Sequence, residues 1–333
     1  MVTIKDLAQQ LNLHHTTVSK ALRDHPDIKK ETRDKVKALA KELDYHPNIL
    51  AQSFKRRTSN TIGVIVPSIK VDFFSTVISA IEDVIYDAGY TIMISQSNES
   101  LAREEFIART MLSNQVAGLI MSVSLETKNI SHLHSFNSYG IPVVFFDRVV
   151  PDSQAAKVVV DDYRAAFDLT EYLIEQGYQT IAHLGAPRTV SVSADRYQGY
   201  MDALEKHLLS ANECWIKEGG FHEFDGFNNM NSILESCDVP RAVFAVNDQV
   251  ALGAYKAIKK HGLRIPDDIA VAGYGNLQLA EYMDPPLTTV AQEPAKMGTA
   301  CARLLLEGIQ NPERDITLEK ITIPTSLIVK SST

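Results

Sequence analysis

A short polar run near the start of the chain carries side chains that could read the bases of DNA. His15, Thr16, Thr17, Ser19 and Lys20 are short hydrogen-bond donors or acceptors, or a long cation, and none of them belongs in a core. Such groups hydrogen-bond to base edges in the major groove and to phosphates. The chemistry predicted for this run is recognition, with no covalent step.

Motifs for covalent catalysis, metal binding or nucleotide binding do not occur in the sequence. No GxGxxG follows the first predicted strand, and there is no P-loop lysine, HExxH or GxSxG. The three cysteines, Cys214, Cys237 and Cys301, have no CxxC spacing, which argues against a zinc ribbon and is typical of a reducing cytosol. We therefore expect a protein that is not an enzyme and has no catalytic residue, no metal and no cofactor.

The composition is that of an ordinary soluble protein. The chain has 333 residues, a formal net charge of −8, 45% hydrophobic residues and 22% charged residues. This length predicts two or three globular units, and the composition excludes the collagen-like, disordered and disulfide-scaffold classes. The N-terminus lacks the apolar core of a signal peptide, and no apolar run is long enough for a membrane span. We expect a cytoplasmic protein with no membrane partner.

The charges are distributed unevenly along the chain. Residues 1–60 hold 12 Lys and Arg against 7 Asp and Glu, whereas residues 61–333 hold 21 against 34. A small basic head on a large acidic body is expected when only the head contacts a polyanion such as DNA. Chance clustering of solvated surface charges is the alternative that composition alone leaves open.

Three predicted helices must position the polar run. The first covers 4–10, the second 15–22 and the third 29–43, and Asn12 ends the first because asparagine tolerates the left-handed conformation of a tight turn. Two short helices joined by such a turn and supported by a third form a helix-turn-helix, whose second helix enters the major groove. The apolar positions of the three helices are Ile4, Leu7, Ala8, Leu11, Val18, Ala21, Leu22, Val36, Leu39, Ala40 and Leu43.

A short amphipathic segment follows the three predicted helices. It begins at Pro47-Asn48, places Leu50, Ala51 and Phe54 on one face of a short helix, and ends in the basic cluster 55–57. A helix this short is marginal alone, so it should order only against a partner helix and DNA. The alternative is a simple interdomain tether.

From Thr61 onward, strands and helices alternate to the end of the chain. Repeated β-α units form parallel sheets, and two sets of them predict two doubly wound lobes with a cleft at the carboxyl ends of their strands. The predicted fold is therefore α/β, with an all-α helix-turn-helix domain at 1–46, a hinge at 47–60 and a two-lobed body at 61–333. The N-lobe is expected at about 61–161 and 292–321, and the C-lobe at about 162–291 and 322–333.

The strings TIKDLAQQLNLHHTTVSKAL and ETRDKVKALAKELDYHPN resemble the head of LacI/GalR-family transcriptional regulators, and the body motifs fall in family order along essentially the whole chain. Three positions depart from the family pattern: Asn12 stands for a glycine, His14 for a capping serine and Lys20 for an arginine. Asparagine can take the turn, a histidine cap is weaker, and lysine keeps the charge without bidentate geometry.

The resemblance implies a sequence-specific repressor that binds a palindromic DNA operator as a homodimer, with hinge helices in the minor groove. The position that matches the family's intercalating leucine is Phe54, and phenylalanine is an accepted wedge. The implied DNA contacts are Thr3, His14, His15, Thr16, Thr17, Ser19, Lys20, Asn48, Leu50, Ala51, Phe54 and Lys55.

The resemblance also implies a small-molecule effector between the two lobes of a periplasmic-binding-protein-like body. The candidate contacts, which follow predicted strand ends, are Phe73, Phe74, Asp147, Arg148, Ser191, Ser193, Arg196, Phe221, Asn247, Asp248, Gly275 and Asn276. For Phe73 and Phe74, and for Phe221, core packing is the alternative. A mutual ion pair is the alternative for Asp147 and Arg148, and a helix cap for Asp248.

Gly275 stands where the family commonly has an acidic residue, so Asn276 or water should replace that acceptor, unless the ligand is larger or differently charged. Many directional donors with few apolar walls suit a hydroxyl-rich ligand, and we expect a sugar or sugar derivative. A purine-type corepressor is the alternative effector. Because the body motifs are shared with periplasmic sugar-binding proteins, a solute-binding protein without a transcriptional role is the alternative from another class, and the basic head argues against it.

Overall fold

The computed structural model describes residues 2–45, 59–150, 153 and 155–333. The chain divides into two compact units, Met1–Ser59 and Asn60–Thr333. The predicted hinge contacts Asn48, Leu50, Ala51, Phe54 and Lys55 lie outside the described residues, so their roles stay predictions.

The small unit contains three helices, α1 (Ile4–Gln10), α2 (His15–Leu22) and α3 (Lys30–Glu42). Between α1 and α2 the chain turns at Asn12, whose φ is +52°, and the next amide donates back to the Ala8 carbonyl at 2.9 Å. The helices enclose a small apolar core formed by Leu7, Ala8, Val18, Ala21, Val36 and Ala40. The predicted helix-turn-helix and its left-handed asparagine are confirmed.

The large unit contains two sheets, each with helices on both faces. The first sheet has the strand order β11-β5-β4-β3-β1-β2, and every neighbouring pair in it is parallel. Its strands are β1 (Thr61–Val66), β2 (Thr91–Gln96), β3 (Gly118–Met121), β4 (Val143–Phe146), β5 (Ala156–Val160) and β11 (Lys320–Ile323). The helices of this N-lobe are α4 (Asp72–Asp87), α5 (Leu101–Ser113), α6 (His134–Ser138) and α12 (Pro294–Gln310), with a 3₁₀ turn at Ser131–Leu133.

The second sheet has the order β12-β10-β9-β8-β6-β7 and forms the C-lobe. Its strands are β6 (Ile181–Gly185), β7 (Ile216–Glu218), β8 (Ala242–Ala245), β9 (Ala270–Gly275), β10 (Thr288–Ala291) and β12 (Ser326–Ile328). Its helices are α7 (Asp162–Glu175), α8 (Ser191–Lys206), α9 (Glu223–Ser236), α10 (Asp248–Lys260) and α11 (Leu279–Tyr282), with a 3₁₀ turn at Glu213–Trp215. The predicted doubly wound parallel sheets are confirmed, and one edge strand of the second sheet differs, because β12 runs antiparallel to β10.

The chain crosses between the lobes three times. It passes from β5 to α7, from β10 to α12, and from β11 to β12. Helix α12 packs in the N-lobe core through Met297, Cys301 and Leu305. Strand β11 stays in the first sheet as far as Ile323, two residues beyond the boundary expected at 321.

The central strands are continuous apolar runs, which explains why helices cover both faces of each sheet. Strand β1 is buried from its second residue to its last, as expected for a parallel strand covered by helices on both faces. Helix α4 places Phe73, Val77, Ile81 and Ile85 against it at helical spacing. This packing fixes the carboxyl ends of the strands, from which the loops of the site emerge. Within the described residues, no helix is long and apolar enough to cross a membrane.

Candidate functional site

The N-terminus of α2 presents the polar run predicted to read DNA. His14 is the N-cap residue, and its Nδ1 lies 2.8 Å from the hydroxyl of Thr16 and 3.5 Å from the Thr16 amide. His15, Thr16 and Lys20 are exposed, whereas Thr17 and Ser19 are half-buried. An exposed helix start with short polar side chains can contact phosphates and base edges.

Two predicted DNA contacts also have structural partners within the head. Thr3 forms a capping box with Asp6, in which the Thr3 amide and hydroxyl donate to the carboxylate at 2.7 and 2.8 Å. Lys20 forms an exposed ion pair with Asp27 at 3.1 Å. An exposed pair contributes about 1 kcal/mol or less, so the ammonium group remains exchangeable for a phosphate.

A cavity lies between the two lobes of the body, at the carboxyl ends of both sheets. We call it the interlobe cleft, and it has a volume of about 60 Å³. Its lining residues are Ser68, Val71, Phe73, Phe74, Glu99, Asp147, Arg148, Val192, Arg196, Phe221, His222, Asn247, Tyr274, Gly275, Leu277 and Gln292.

Arg148 contacts both lobes across the interlobe cleft. Its Nη1 donates to both carboxylate oxygens of Glu99 at 2.9 and 2.8 Å, and its guanidinium lies 4.3 Å from the centroid of the Phe221 ring. The Asp147 carboxylate is 4.0 Å from Nε. The predicted ion pair between these neighbours is therefore the weaker contact, and Glu99, which we did not predict, is the main partner.

Arg196 is held as a rigid fork at the C-lobe wall. Its Nε donates to Asp162 at 2.7 Å, its Nη1 donates to the Val246 carbonyl at 2.7 Å, and its guanidinium lies 3.7 Å from the centroid of the Tyr274 ring. Both members of the ion pair are buried. A guanidinium fixed in this way offers its remaining N–H groups to a ligand without losing side-chain entropy.

Two buried polar side chains of the cleft face carboxylates. The Tyr274 hydroxyl interacts with Asp162 and the Gln292 side chain with Asp147, and each contact partly offsets the rise in the pKa of the acid that burial causes. Asp147 adds a titratable acceptor, because burial raises its pKa to about 6 against the opposing charges of Arg148 and Arg196.

The aromatic candidates serve the core and the cleft together. Phe73 and Phe74 are 6% and 4% exposed and belong to the N-lobe core, but both also border the interlobe cleft. Phe221 packs in the C-lobe core and presents a ring face to Arg148. For these rings, core packing and effector contact are compatible interpretations, because a core residue at a strand end can also form part of the cleft wall.

Asn247 lines the cleft, but Asp248 does not. The Asp248 carboxylate is fully buried and accepts from the Leu277 amide at 2.7 Å and the Thr289 hydroxyl at 2.6 Å. Its predicted effector contact is thus replaced by a structural role. The alternative of a helix cap was also wrong for Asp248, because Asn247 caps α10 by accepting from the Val250 amide at 2.8 Å.

Two predicted serine contacts also point elsewhere. The Ser193 hydroxyl is buried, donates to the Ala186 carbonyl at 2.6 Å and accepts from the same residue's amide at 3.3 Å. The Ser191 oxygen accepts from the Val149 amide at 3.2 Å and so joins the two lobes beside the cleft. Neither serine lines the cavity.

Backbone conformation explains why a glycine stands at position 275, where the family commonly has an acidic residue. Gly275 lines the cleft with a φ of +129°, which L side chains rarely adopt. Asn276 does not substitute for the acid, because it is exposed and lies outside the cavity lining. The cleft instead obtains its acidic groups from Asp147 and Glu99.

Several residues that line the interlobe cleft were not among the effector contacts predicted from the sequence. They are Ser68, Val71, Glu99, Val192, His222, Tyr274, Leu277 and Gln292. Glu99 lies three residues after β2, and Gln292 directly follows β10. The rule that ligand groups follow strand ends could have found both polar residues had it been applied to every strand.

A helix-turn-helix head joined to a body whose interlobe cleft combines apolar walls with charged side chains is typical of a DNA-binding protein with a ligand-binding regulatory domain. A model of the lacI family of bacterial regulatory proteins matches residues 3–48, and one of a periplasmic binding protein-like domain matches residues 170–333. The HTH-type transcriptional repressor PurR of Pasteurella multocida is 31% identical over 100% of this chain and 98% of its own. The chain belongs to the lacI family and is an effector-controlled, DNA-binding transcriptional regulator.

Solved structures agree with this assignment over the whole length. The Lac repressor dimer bound to operator and the anti-inducer ONPF has a TM-score of 0.88 and 27% identity, with 99% of this chain and 98% of that chain covered. A complex of the transcriptional regulator CelR with cellobiose has a TM-score of 0.76 and 26% identity, with 100% of both chains covered.

Proposed function

We propose that this regulator binds a palindromic operator as a homodimer, with α2 of each head in a major groove. A single helix of eight residues reads few base pairs, whereas a two-fold pair reads two half-sites. A solved relative, the Lac repressor, is a dimer on its operator. The head at 1–46 and the hinge at 47–60 form the DNA-binding part, and the protein acts in the cytoplasm, where its operator is.

The effector that we propose is a sugar or sugar derivative bound in the interlobe cleft. The observation that carries this proposal is the pair of fixed guanidinium groups, Arg148 and Arg196, beside the polar side chains of Asn247, Tyr274 and Gln292 in the cleft lining. A ligand rich in hydroxyl groups can satisfy donors and acceptors on both walls. The cellobiose complex of CelR is a relative with a sugar ligand.

Effector entry requires the closed cleft to change. Arg148 lines the cleft and lies over Phe221, so we expect that either the lobes separate or the Arg148 side chain leaves its place when an effector enters. An effector that displaces Arg148 breaks one of the contacts that join the lobes and shifts the population between closed and open bodies. That shift is the proposed signal to the DNA-binding part.

A purine-type effector is the alternative, and one observation favours it. The planar guanidinium of Arg148 lies between the Phe221 and Phe74 rings, 4.3 and 6.0 Å from their centroids. A flat heterocycle could occupy this space if Arg148 moved aside. Several curated relatives are repressors named PurR.

Isothermal calorimetry on the full chain tests the effector. Cellobiose, ribose and sugar phosphates are compared with adenine and guanine, using wild type, Arg196→Ala and Asn276→Ala. A sugar that binds wild type and Asn276→Ala but not Arg196→Ala, with Arg196→Ala shown to be folded by circular dichroism, supports the proposal, because Asn276 lies outside the cleft. Binding of purines alone favours the alternative, and a sugar that binds both variants equally removes Arg196 from the site.

Operator titrations test the DNA-binding part. Affinity should fall steeply with salt concentration, because Lys55 and its basic neighbours engage phosphates. Deletion of 1–60 should abolish binding, whereas Phe54→Ala should reduce operator bending and affinity without changing effector binding. A truncated body that still binds the operator would contradict the division of roles.

A further inference from the structure

We propose that Cys214 and Cys237 form a reversible thiol–disulfide site that controls the mobility of one wall of the interlobe cleft. In the structure the two residues are joined by a disulfide, with Cα atoms 6.1 Å apart, across 23 positions of sequence. A Cα separation in this range allows the bond without backbone movement. The sequence alone did not predict the pairing, because the spacing matches no redox motif.

The bond encloses the segment that carries the cleft wall. Cys214 lies just before β7, and Cys237 directly follows α9. Between them lie Phe221 and His222, which line the cleft, and the Phe221 ring is in contact with the Arg148 guanidinium. A covalent bond between the two ends therefore limits the movement of the whole wall.

A second contact holds the cysteine segments together independently of sulfur. The indole nitrogen of Trp215 donates to the Asp238 carbonyl at 2.7 Å, and these residues directly follow the two cysteines. Because this hydrogen bond does not depend on the disulfide, the thiols stay adjacent after reduction. The pair can thus reopen and close without refolding of the lobe.

Cys214 and Cys237 differ from the third cysteine, Cys301, in their exposure to solvent. Cys214 and Cys237 are half-buried, so small thiols and disulfides can reach them. Cys301 is fully buried on α12, and burial raises the pKa of its thiol. Since the thiolate is the reactive form, Cys301 stays out of the exchange.

The chemistry is exchange with a low-molecular-weight disulfide such as oxidised glutathione. One cysteine thiolate attacks a glutathione sulfur, the glutathione S–S bond breaks, and one glutathione thiolate leaves. The second cysteine thiolate attacks the mixed disulfide, forms the Cys214–Cys237 bond and releases the second glutathione. The protein loses two protons and two electrons, and one glutathione disulfide takes them up.

The consequence for regulation rests on the proposed function of the cleft as the effector site. Oxidation ties α9 to β7 and holds Phe221 in place against Arg148, whereas reduction frees the wall to move when a ligand enters. The redox state of the cell would then set how readily the regulator responds to its effector.

A glutathione titration of the full chain tests the bond. After equilibration, acid quenching and denaturation, free thiols should fall from three to one as oxidised glutathione replaces reduced. Peptide mass spectrometry should find Cys214 linked to Cys237, and Cys301→Ala should keep the transition while Cys214→Ser loses it. Glutathione adducts without the internal bond, or a bond to Cys301, would overturn the proposal.

Hydrogen exchange tests the link to the cleft wall without any effector. Amides of 216–236 should exchange more slowly in the oxidised protein, and its Tm should be roughly 5 °C higher. Exchange of the amides of 61–96 in the N-lobe serves as one control. The second control is Cys214→Ser, whose amide exchange is measured under both oxidising and reducing conditions. Equal exchange in the two states of wild type would refute control of the wall, whereas failure of the sugar screen would refute only the proposed effector.

Discussion

The guanidinium of Arg148 lies over the ring of Phe221, 4.3 Å from its centroid, and so joins the N-lobe to the C-lobe across the interlobe cleft. Its charge is balanced by Glu99 from the same lobe. The two lobes are therefore joined across the cleft by a cation–π contact of a buried arginine.

Arg148→Ala should lower the free energy of unfolding by about 1–3 kcal/mol, because it removes a desolvated cation–π contact and leaves Glu99 unpaired. Arg188→Ala is the matched control. Arg188 also stacks on an aromatic ring, Tyr197, at 4.1 Å, and pairs with a carboxylate, but it is half-exposed and outside the cleft. Chemical denaturation measures both variants, and equal losses would contradict the role assigned to Arg148.

Asp147→Asn should change the pH dependence of stability. Burial raises the pKa of Asp147 from 3.8 to about 6, so the folded protein binds this proton more tightly than the unfolded chain. The stability contributed by this group is present below pH 4 and is lost as pH rises through 6. Asparagine mimics the protonated acid and tolerates the left-handed backbone at this position, where φ is +56°.

The free energy of unfolding of Asp147→Asn, relative to wild type, should therefore rise between pH 4 and pH 7 by up to roughly 3 kcal/mol. Urea titrations at several pH values measure the difference. Asp268→Asn should change in the opposite direction, because hydrogen bonds with Arg264 lower the pKa of Asp268. A flat difference for Asp147→Asn would show that its carboxyl is ordinarily ionised.

Arg196→Ala should destabilise the body by about 3–5 kcal/mol, since it leaves Asp162 buried without its partner. The double variant Arg196→Ala with Asp162→Ala should recover part of this loss, because the uncompensated charge is gone. A thermodynamic cycle from denaturant unfolding checks the coupling. Additive losses in the two single variants would mean that the pair does not act as a unit.

His15→Ala or Thr16→Ala should change which base pairs the regulator prefers, at a cost of about 1–3 kcal/mol at the contacted position. Both residues are exposed at the start of α2, and the Thr16 hydroxyl is also 2.8 Å from His14. Binding-site selection on randomised operators measures the preference. Lys55→Ala should weaken all sequences alike, and the same sequence-independent loss in His15→Ala would contradict the recognition role of α2.

The fold could be predicted from the sequence because the local patterns are strong and agree with one another. The apolar runs of β1 and β8 are buried on both faces, and the turn at Asn12 has the left-handed conformation that its residue type favours. The antiparallel strand β12 was not predicted. Its three residues are only partly buried or exposed, so they carry no hydrophobic pattern from which a direction could be inferred.

The site was predicted only in part, because strand ends indicate where a side chain begins and not where it points. Arg148, Arg196 and Asn247 line the interlobe cleft as expected. Ser193 and Asp248 instead hydrogen-bond to backbone groups that hold the loops in place. Choosing between a ligand contact and a loop support requires side-chain directions, which depend on tertiary packing rather than on spacing.

The three crossovers between the lobes limit how such regulators can diversify by recombination. The head is one continuous stretch of chain, so a single exchange can give a body new operator specificity. A cut after Ala291 would instead remove α12 and β11 from the N-lobe and β12 from the C-lobe. Neither lobe can therefore be exchanged as one continuous segment, whereas the head and the whole body can.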